Sequence, residues 1–393
     1  MASILQALFA QVFSLQPTTT DTADVPSPPR LPAEWEPHER TFIVWPNNNV
    51  ADTKVDTVRQ EIVLLAQAIA KYEPVVVLTR PNLADSAQTA LGPTSTNIKV
   101  VALAIDGFWT RDTAPVFVTK PQGGGSLTGV DFNCNGWYKR HQLQGIPKLA
   151  QSLLEKYNLP WTKAAMVAEG GALETDGLGT LLVKERSLVG MHRNPNLSRA
   201  EIEQELIRTL GVTKVIWLTL SNWTEDSLFV INDGEPLDRH EDPQARFLAP
   251  GVVALSRPHG TYSREYHQAA EILASARDSR GLPFTIVDIQ DPHANVPEIS
   301  FELIDIQSLR HHHQRVTFGP SYLNFYIANG AVFVPQYGNR ATDKLALHVL
   351  AEHFPGREVV PLRLDAVVSA GGGIHLATRN QPRCEAPMEA ASQ

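Results

Sequence analysis

Four short segments hold residue types that do chemistry together. Asp106-Gly107-Phe108-Trp109-Thr110-Arg111-Asp112 places an indole and two carboxylates around an arginine. Ala168-Glu169-Gly170-Gly171 follows an acid with two glycines, which let a backbone turn tightly or approach a ligand closely. His240-Glu241-Asp242-Pro243 flanks an imidazole with acids, and a carboxylate raises a histidine pKa and fixes one tautomer. Gly371-Gly372-Gly373-Ile374-His375-Leu376-Ala377-Thr378 is a glycine-rich turn in which the histidine is followed by an apolar residue, Leu376. A carboxylate offers two acceptor oxygens to the planar N–H fork of a guanidinium, a charge-assisted bidentate contact. Acids gathered in one cleft would repel one another, and a guanidinium has enough N–H donors to relieve several of them at once. Plainer readings compete: an ion pair between Arg111 and a neighbouring acid, and a surface histidine in a charged loop.

Other residues carry less. Cys134 and Cys384 are too few for a disulfide framework or a zinc knuckle, and their number suits a reducing compartment. His311-His312-His313 cannot all aim at one ion from a helix or strand, and no Cys or acid stands at ligand spacing, so no metal is expected. Gly123-Gly124-Gly125 lacks the Lys and Ser/Thr of a phosphate loop. No cofactor is implied.

The elements that must position these residues belong to a chain of 393 residues, 43% hydrophobic, enough for one large domain or two ordinary ones. A net charge of −8, with Lys and Arg scattered, argues against nucleic-acid or anionic-membrane partners and favours a cationic small molecule. No apolar run approaches bilayer length. Residues 1–30 read as a tail: an apolar stretch without preceding Lys or Arg, a poor secretory signal, then a Pro-rich linker. The folded body is expected over 31–382, with a second tail at 383–393 and a cytoplasmic location. The oligomeric state is not written in the sequence.

Short apolar runs alternate with helical spacing. Thr41–Trp45, Pro74–Leu78, Ile98–Ala102, Val215–Leu218 and Phe284–Ile289 read as strands. Val55–Tyr72, Asn82–Leu91, Arg199–Leu210 (capped by Ser198) and Tyr266–Ser279 read as helices. Ser321–Gly338 reads as two strands around an Asn-Gly turn. The alternation implies an α/β architecture with mostly buried strands, and no periodic repeat stands out.

From Leu31 to Pro382 these motifs resemble the agmatine deiminase family, which includes the bacterial-type peptidylarginine deiminases. The resemblance implies the pentein fold: a β/α propeller of five ββαβ modules around a pseudo-fivefold axis, with the active site in the central channel. It implies that Trp109 packs by the substrate, that Asp112, Glu169 and Asp242 bind the guanidinium, and that His240 is the general acid/base. It also marks a gap, because family members carry a nucleophilic cysteine where this chain has Leu376. A leucine has no lone pair and no proton to titrate, so an ordinary cysteine-dependent deiminase reaction is not expected. Glu174 stands where many members carry a histidine, a change that either reshapes the pocket or, the reading favoured here, is a surface difference. Three functions remain open. One is a diverged enzyme performing acid/base C–N chemistry (hydrolysis, elimination or cyclisation) on a guanidino compound derived from arginine or agmatine. Another is a catalytically dead guanidino-binding protein. The third is a deiminase with a displaced nucleophile, Cys134, against which stands its place in a different module from Leu376.

Overall fold

One arrangement recurs five times along the chain: two antiparallel strands, a helix, and a third strand lying parallel to the second. The computed structural model describes residues 28–47, 55–92, 97–105, 107–120, 126–135, 149–190, 193–219, 245–258, 263–292, 300–301, 316–317 and 320–384. Four of the units are continuous in sequence. Val116–Lys120 and Ser126–Asp131 pair antiparallel, the helix Leu149–Lys156 crosses over, and Trp161–Lys163 returns parallel. Leu173–Thr175, Thr180–Lys184, Arg199–Leu210 and Lys214–Leu218 repeat this order. So do Ala245–Ala249, Val252–Arg257, Arg264–Ser275 and Thr285–Gln290. The last continuous unit is Tyr326–Ala328, Ala331–Pro335, Arg340–His353 and Glu358–Leu362.

The fifth unit closes the ring. Thr378–Pro382 pairs antiparallel with His38–Val44, so strands from opposite ends of the described chain share a sheet. Val55–Ile69 then crosses to Val75–Thr79, and Ile98–Ala102 adds a fourth strand. This is the pentein α/β propeller.

Local chemistry accounts for the units. A parallel return needs a long crossover, and a helix supplies one while covering the sheet. Val55–Ile69 buries Val58, Ile62, Leu65, Ala66 and Ile69, one face at helical spacing, against strands such as Val75–Thr79, which is buried at every position. Arg199–Leu210 begins on a capping box between Ser198 and Glu201 and stops at Gly211, whose φ of 69° is left-handed.

Several boundaries differ from the sequence reading. The helix expected from Tyr266 starts at Arg264 under a Ser263 cap and ends at Ser275. Beyond it, the Asp278 carboxylate accepts from the backbone N–H groups of Arg280 and Leu282 and builds a turn instead. Tyr322–Asn324 is a single 3₁₀ turn rather than strand, because Ser321 Oγ accepts from Leu323 N and tightens the backbone there. The Asn329-Gly330 turn is present between strands, with Gly330 at φ 84°. Three short turns from distant parts of the chain, Thr110–Thr113, Gly170–Ala172 and Ile374–Ala377, pack together near the axis.

Candidate active site

Glycines make this junction possible. A Cβ built on Gly171 would lie 2.3 Å from Asp112 Oδ1 and 3.1 Å from Leu376 Cδ2. One built on Gly372 would lie 2.6 Å from Trp109 Cζ3 and 2.9 Å from Leu376 Cδ1. Contacts under 3.0 Å are too short for a real methyl, so the Trp109 ring, the Asp112 carboxylate and the Leu376 side chain close in only on bare backbone. Gly171 N also donates to Asp112 Oδ1 at 3.0 Å, which fixes one carboxylate oxygen. Trp109 and Leu376 belong to one buried apolar cluster with Ile374 and Phe108. Leu376 is 3% exposed and lies in the helical turn Ile374–Ala377. Thr378 offers no substitute hydroxyl, because its Oγ1 bonds the carbonyls of Ile374 and His375 at 3.0 Å each.

Glu169 caps the neighbouring turn and is 1% exposed. Its carboxylate pairs with the guanidinium of Arg193, itself buried and held by the Ser187 carbonyl at 2.9 Å. The mutual repulsion expected among the acids is therefore relieved at Glu169 by a residue of this chain. Cys134 Sγ donates to Glu169 Oε1 at 3.8 Å and packs in the same cluster as Trp109 and Leu376. Cys134 lies in a different module from Leu376, yet the two share that cluster.

Behind this wall lies a second buried set that the motifs did not predict. Glu34 Oε2 accepts from His375 Nε2 at 2.7 Å and lies 3.0 Å from Arg111 Nη2, while Oε1 accepts from Arg246 Nη2 at 3.2 Å and Ile327 N at 3.0 Å. Burial opposes charge on Glu34, yet these partners outweigh it and hold the carboxyl well below its usual range. Burial lowers His375 to about 3, with Arg111 and Arg246 adding to it. The His375–Glu34 contact is thus a neutral imidazole donating to a carboxylate, not an ion pair. Arg111 also donates to the His375 carbonyl at 3.3 Å and Asn380 Oδ1 at 3.0 Å. Its partner is a remote glutamate, not the neighbouring acid of the plain reading.

Glu174 is a correction. It is not a surface difference: Oε1 accepts from Phe247 N at 3.0 Å, and the carboxylate faces Arg246 Nε at 3.5 Å. Burial raises its pKa, against the pull of Arg246.

Asp112, Trp109, Glu169 and Leu376 are thus neighbours through the three turns, with Cys134 among them. His240 and Asp242 lie outside the described residues, as do His311–His313 and Gly123–Gly125. Among the described residues no group of three His, Cys, Asp or Glu side chains is arranged to hold a metal ion. Sequence reasoning missed Arg193, Glu34 and Arg379; Arg246 was visible within Ala245-Arg246-Phe247 but carried no role.

Residues 30–382 match the family model for the Porphyromonas-type peptidyl-arginine deiminases. A protein of Legionella pneumophila (strain Philadelphia 1) is 34% identical over 365 residues, covering 91% of this chain and 96% of its own. The agmatine deiminase of Medicago truncatula is 31% identical over 375 residues, covering 90% and 96%. Among solved structures, the agmatine deiminase of Enterococcus faecalis superposes with a TM-score of 0.78 at 30% identity, over 90% of this chain and 96% of that one.

Proposed function

The chain belongs to the Porphyromonas-type peptidyl-arginine deiminase family, and from that premise we propose that it binds a small guanidino cation derived from arginine or agmatine. It acts on a C–N bond of that cation without a covalent thiouronium intermediate. The observation that carries the reading is the packing of Asp112, Trp109 and Leu376 on the bare backbones of Gly171 and Gly372. An indole face and a carboxylate oriented by a backbone N–H suit a flat cation with N–H donors at its rim. Leu376 gives that site an apolar floor with no atom able to attack carbon. In the proposed reaction a water adds to the guanidinium carbon, ammonia or an amine leaves, and a proton passes from the water to the leaving nitrogen. His240 is the group assigned to carry that proton, with Asp242 gripping the guanidinium beside it. Glu169 acts through its pairing with Arg193 as a wall of the site rather than as a free carboxylate.

Cys134 supports a second reading, a deiminase with a displaced nucleophile. Its sulfur lies against Glu169 in the cluster that holds Trp109.

Incubation with agmatine, arginine and arginine-derived amines, followed by mass spectrometry and calorimetry, tests all of this. Turnover lost in His240→Ala but kept in Cys134→Ala supports the water mechanism. Turnover lost on thiol alkylation and in Cys134→Ala supports the displaced nucleophile. Binding without turnover identifies a guanidino-binding protein that has left catalysis, and no binding refutes the guanidino reading.

A further inference from the structure

Arg379 is a buried cation that the carboxylates of the surrounding network, Glu34 and Asp112, offset only from a distance. It is 7% exposed, next to Thr378 at the start of the C-terminal strand. Its hydrogen bond runs from Nε to the Pro115 carbonyl at 3.0 Å, and among the described residues its guanidinium has no carboxylate within ion-pair distance. Burial first, and Arg111 after it, pull its pKa down to about 9 against the opposing pull of Glu34 and Asp112, so it stays protonated at neutral pH. A buried guanidinium without a counter-charge is costly, and proteins remove such costs by pairing.

Arg379 lines a cavity of about 40 Å³ together with Arg111, Gly170, His375 and Asn380, and the carboxylates of Glu34 and Glu174 lie in the same wall. Those acids are already spent. Glu34 is shared among Arg111, Arg246, His375 and Ile327 N, and Glu174 between Arg246 and Phe247 N. Arg111 is spent as well, on Glu34, Asn380 and the His375 carbonyl. The donors left over are the Nη groups of Arg379. A Cβ on Gly170 would come within 3.2 Å of Arg379 Nη1 and 2.4 Å of the Arg111 carbonyl, so only glycine leaves that side of the arginine clear.

We propose that this cavity is a binding site for a small inorganic anion of chloride size, held by the Arg379 guanidinium. A space of that volume, partly open to solvent, suits an ion the size of a few waters. The anion gives Arg379 the direct ionic partner it lacks among the described residues, and it stabilises the fold by binding the native state alone.

Thermal unfolding of the full chain in sodium chloride and sodium gluconate, at matched concentrations, reads this out. Gluconate is too large to enter. Chloride is expected to raise Tm by roughly 2–4 °C with saturation, beyond the gluconate response. Arg379→Gln is expected to abolish that difference. Equal chloride and gluconate curves in the wild type, or an unchanged difference in Arg379→Gln, would overturn the proposal. Crystals grown in sodium bromide keep it testable should Arg379→Gln not fold. An anomalous peak against the Arg379 guanidinium supports the site; bromide bound only at the surface, or nowhere, refutes it.

Discussion

Leu376→Cys tests how much of the deiminase machinery surrounds a missing sulfur. Leucine at this position is 3% exposed and packs between Gly171 and Gly372, with the Trp109 ring beside it. The substitution keeps Cβ, places sulfur near the old Cγ and removes both terminal methyls. At about 0.8 kcal/mol per methyl-sized group, and with little collapse around rigid glycine backbones, the cost is about 2 kcal/mol. That lowers Tm by roughly 2–4 °C in a fold of this size, which a stable fold tolerates. The gain is chemical. A thiolate beside a bound guanidinium forms the covalent adduct, ammonia leaves, and water releases the corresponding urea with the thiol regenerated. Ammonia release from agmatine is expected to rise at least about 100-fold over the wild type, equivalent to about 2.7 kcal/mol of barrier. Leu376→Ala is the control, since it opens the same floor without supplying a nucleophile and should show no such rise. The pH profile of the restored activity should report a coupled thiol and imidazole. If Leu376→Cys binds agmatine by calorimetry yet releases no ammonia, the reasoning is refuted: the site has then been rebuilt beyond the one position.

Further outcomes follow from the wall and the axis. Gly171→Ala forces a methyl into the Asp112 carboxylate, so guanidino binding should weaken more than tenfold while the fold survives; unchanged calorimetric affinity would remove Asp112 from the pocket. Arg193→Met strands the buried Glu169 carboxylate and should cost about 3–5 kcal/mol in urea unfolding, whereas Arg193→Met with Glu169→Gln should recover much of it. His375 is held near 3 in the fold against an ordinary 6.5, so below pH 6.5 the unfolded chain takes up a proton that the folded chain refuses. Stability should therefore fall as pH drops from 6.5 towards 3, with Glu34, also held low, adding to the loss below about 4.5. His375→Gln should flatten the upper part of that decline, and a urea midpoint constant from pH 7 to pH 5 would count against a neutral buried His375.

What the sequence disclosed was local, and what it hid was remote. Helix Arg199–Leu210 was readable because its signals are adjacent: Ser198 before it, Glu201 three residues on, and Gly211 after it. The glycine pairs were readable for the same reason, since a doubled glycine beside an acid already states that backbone must come close. The fivefold repeat was not. Its third strands run from three residues, Trp161–Lys163, to six, Thr285–Gln290, and its fifth unit borrows Thr378–Pro382 from the other end of the chain. No fixed period survives such variation, least of all in that ring-closing unit. The axial charges were hidden more deeply. Glu34 finds Arg246 and His375 only through the closed ring, and nothing in Pro32-Ala33-Glu34-Trp35 distinguishes that acid from the exposed ones.

The surface reading of Glu174 failed because its partners, Arg246 and Phe247 N, are remote in sequence and belong to another module. Cys134 reaches Glu169, and Glu174 reaches Arg246, across module boundaries. In this fold a residue's distance from the axis, set by its place within the ββαβ unit, says more about its chemistry than its distance along the chain. That is why three turns of three or four residues each, Thr110–Thr113, Gly170–Ala172 and Ile374–Ala377, carry most of the candidate site, while the long helices outside them carry none of it.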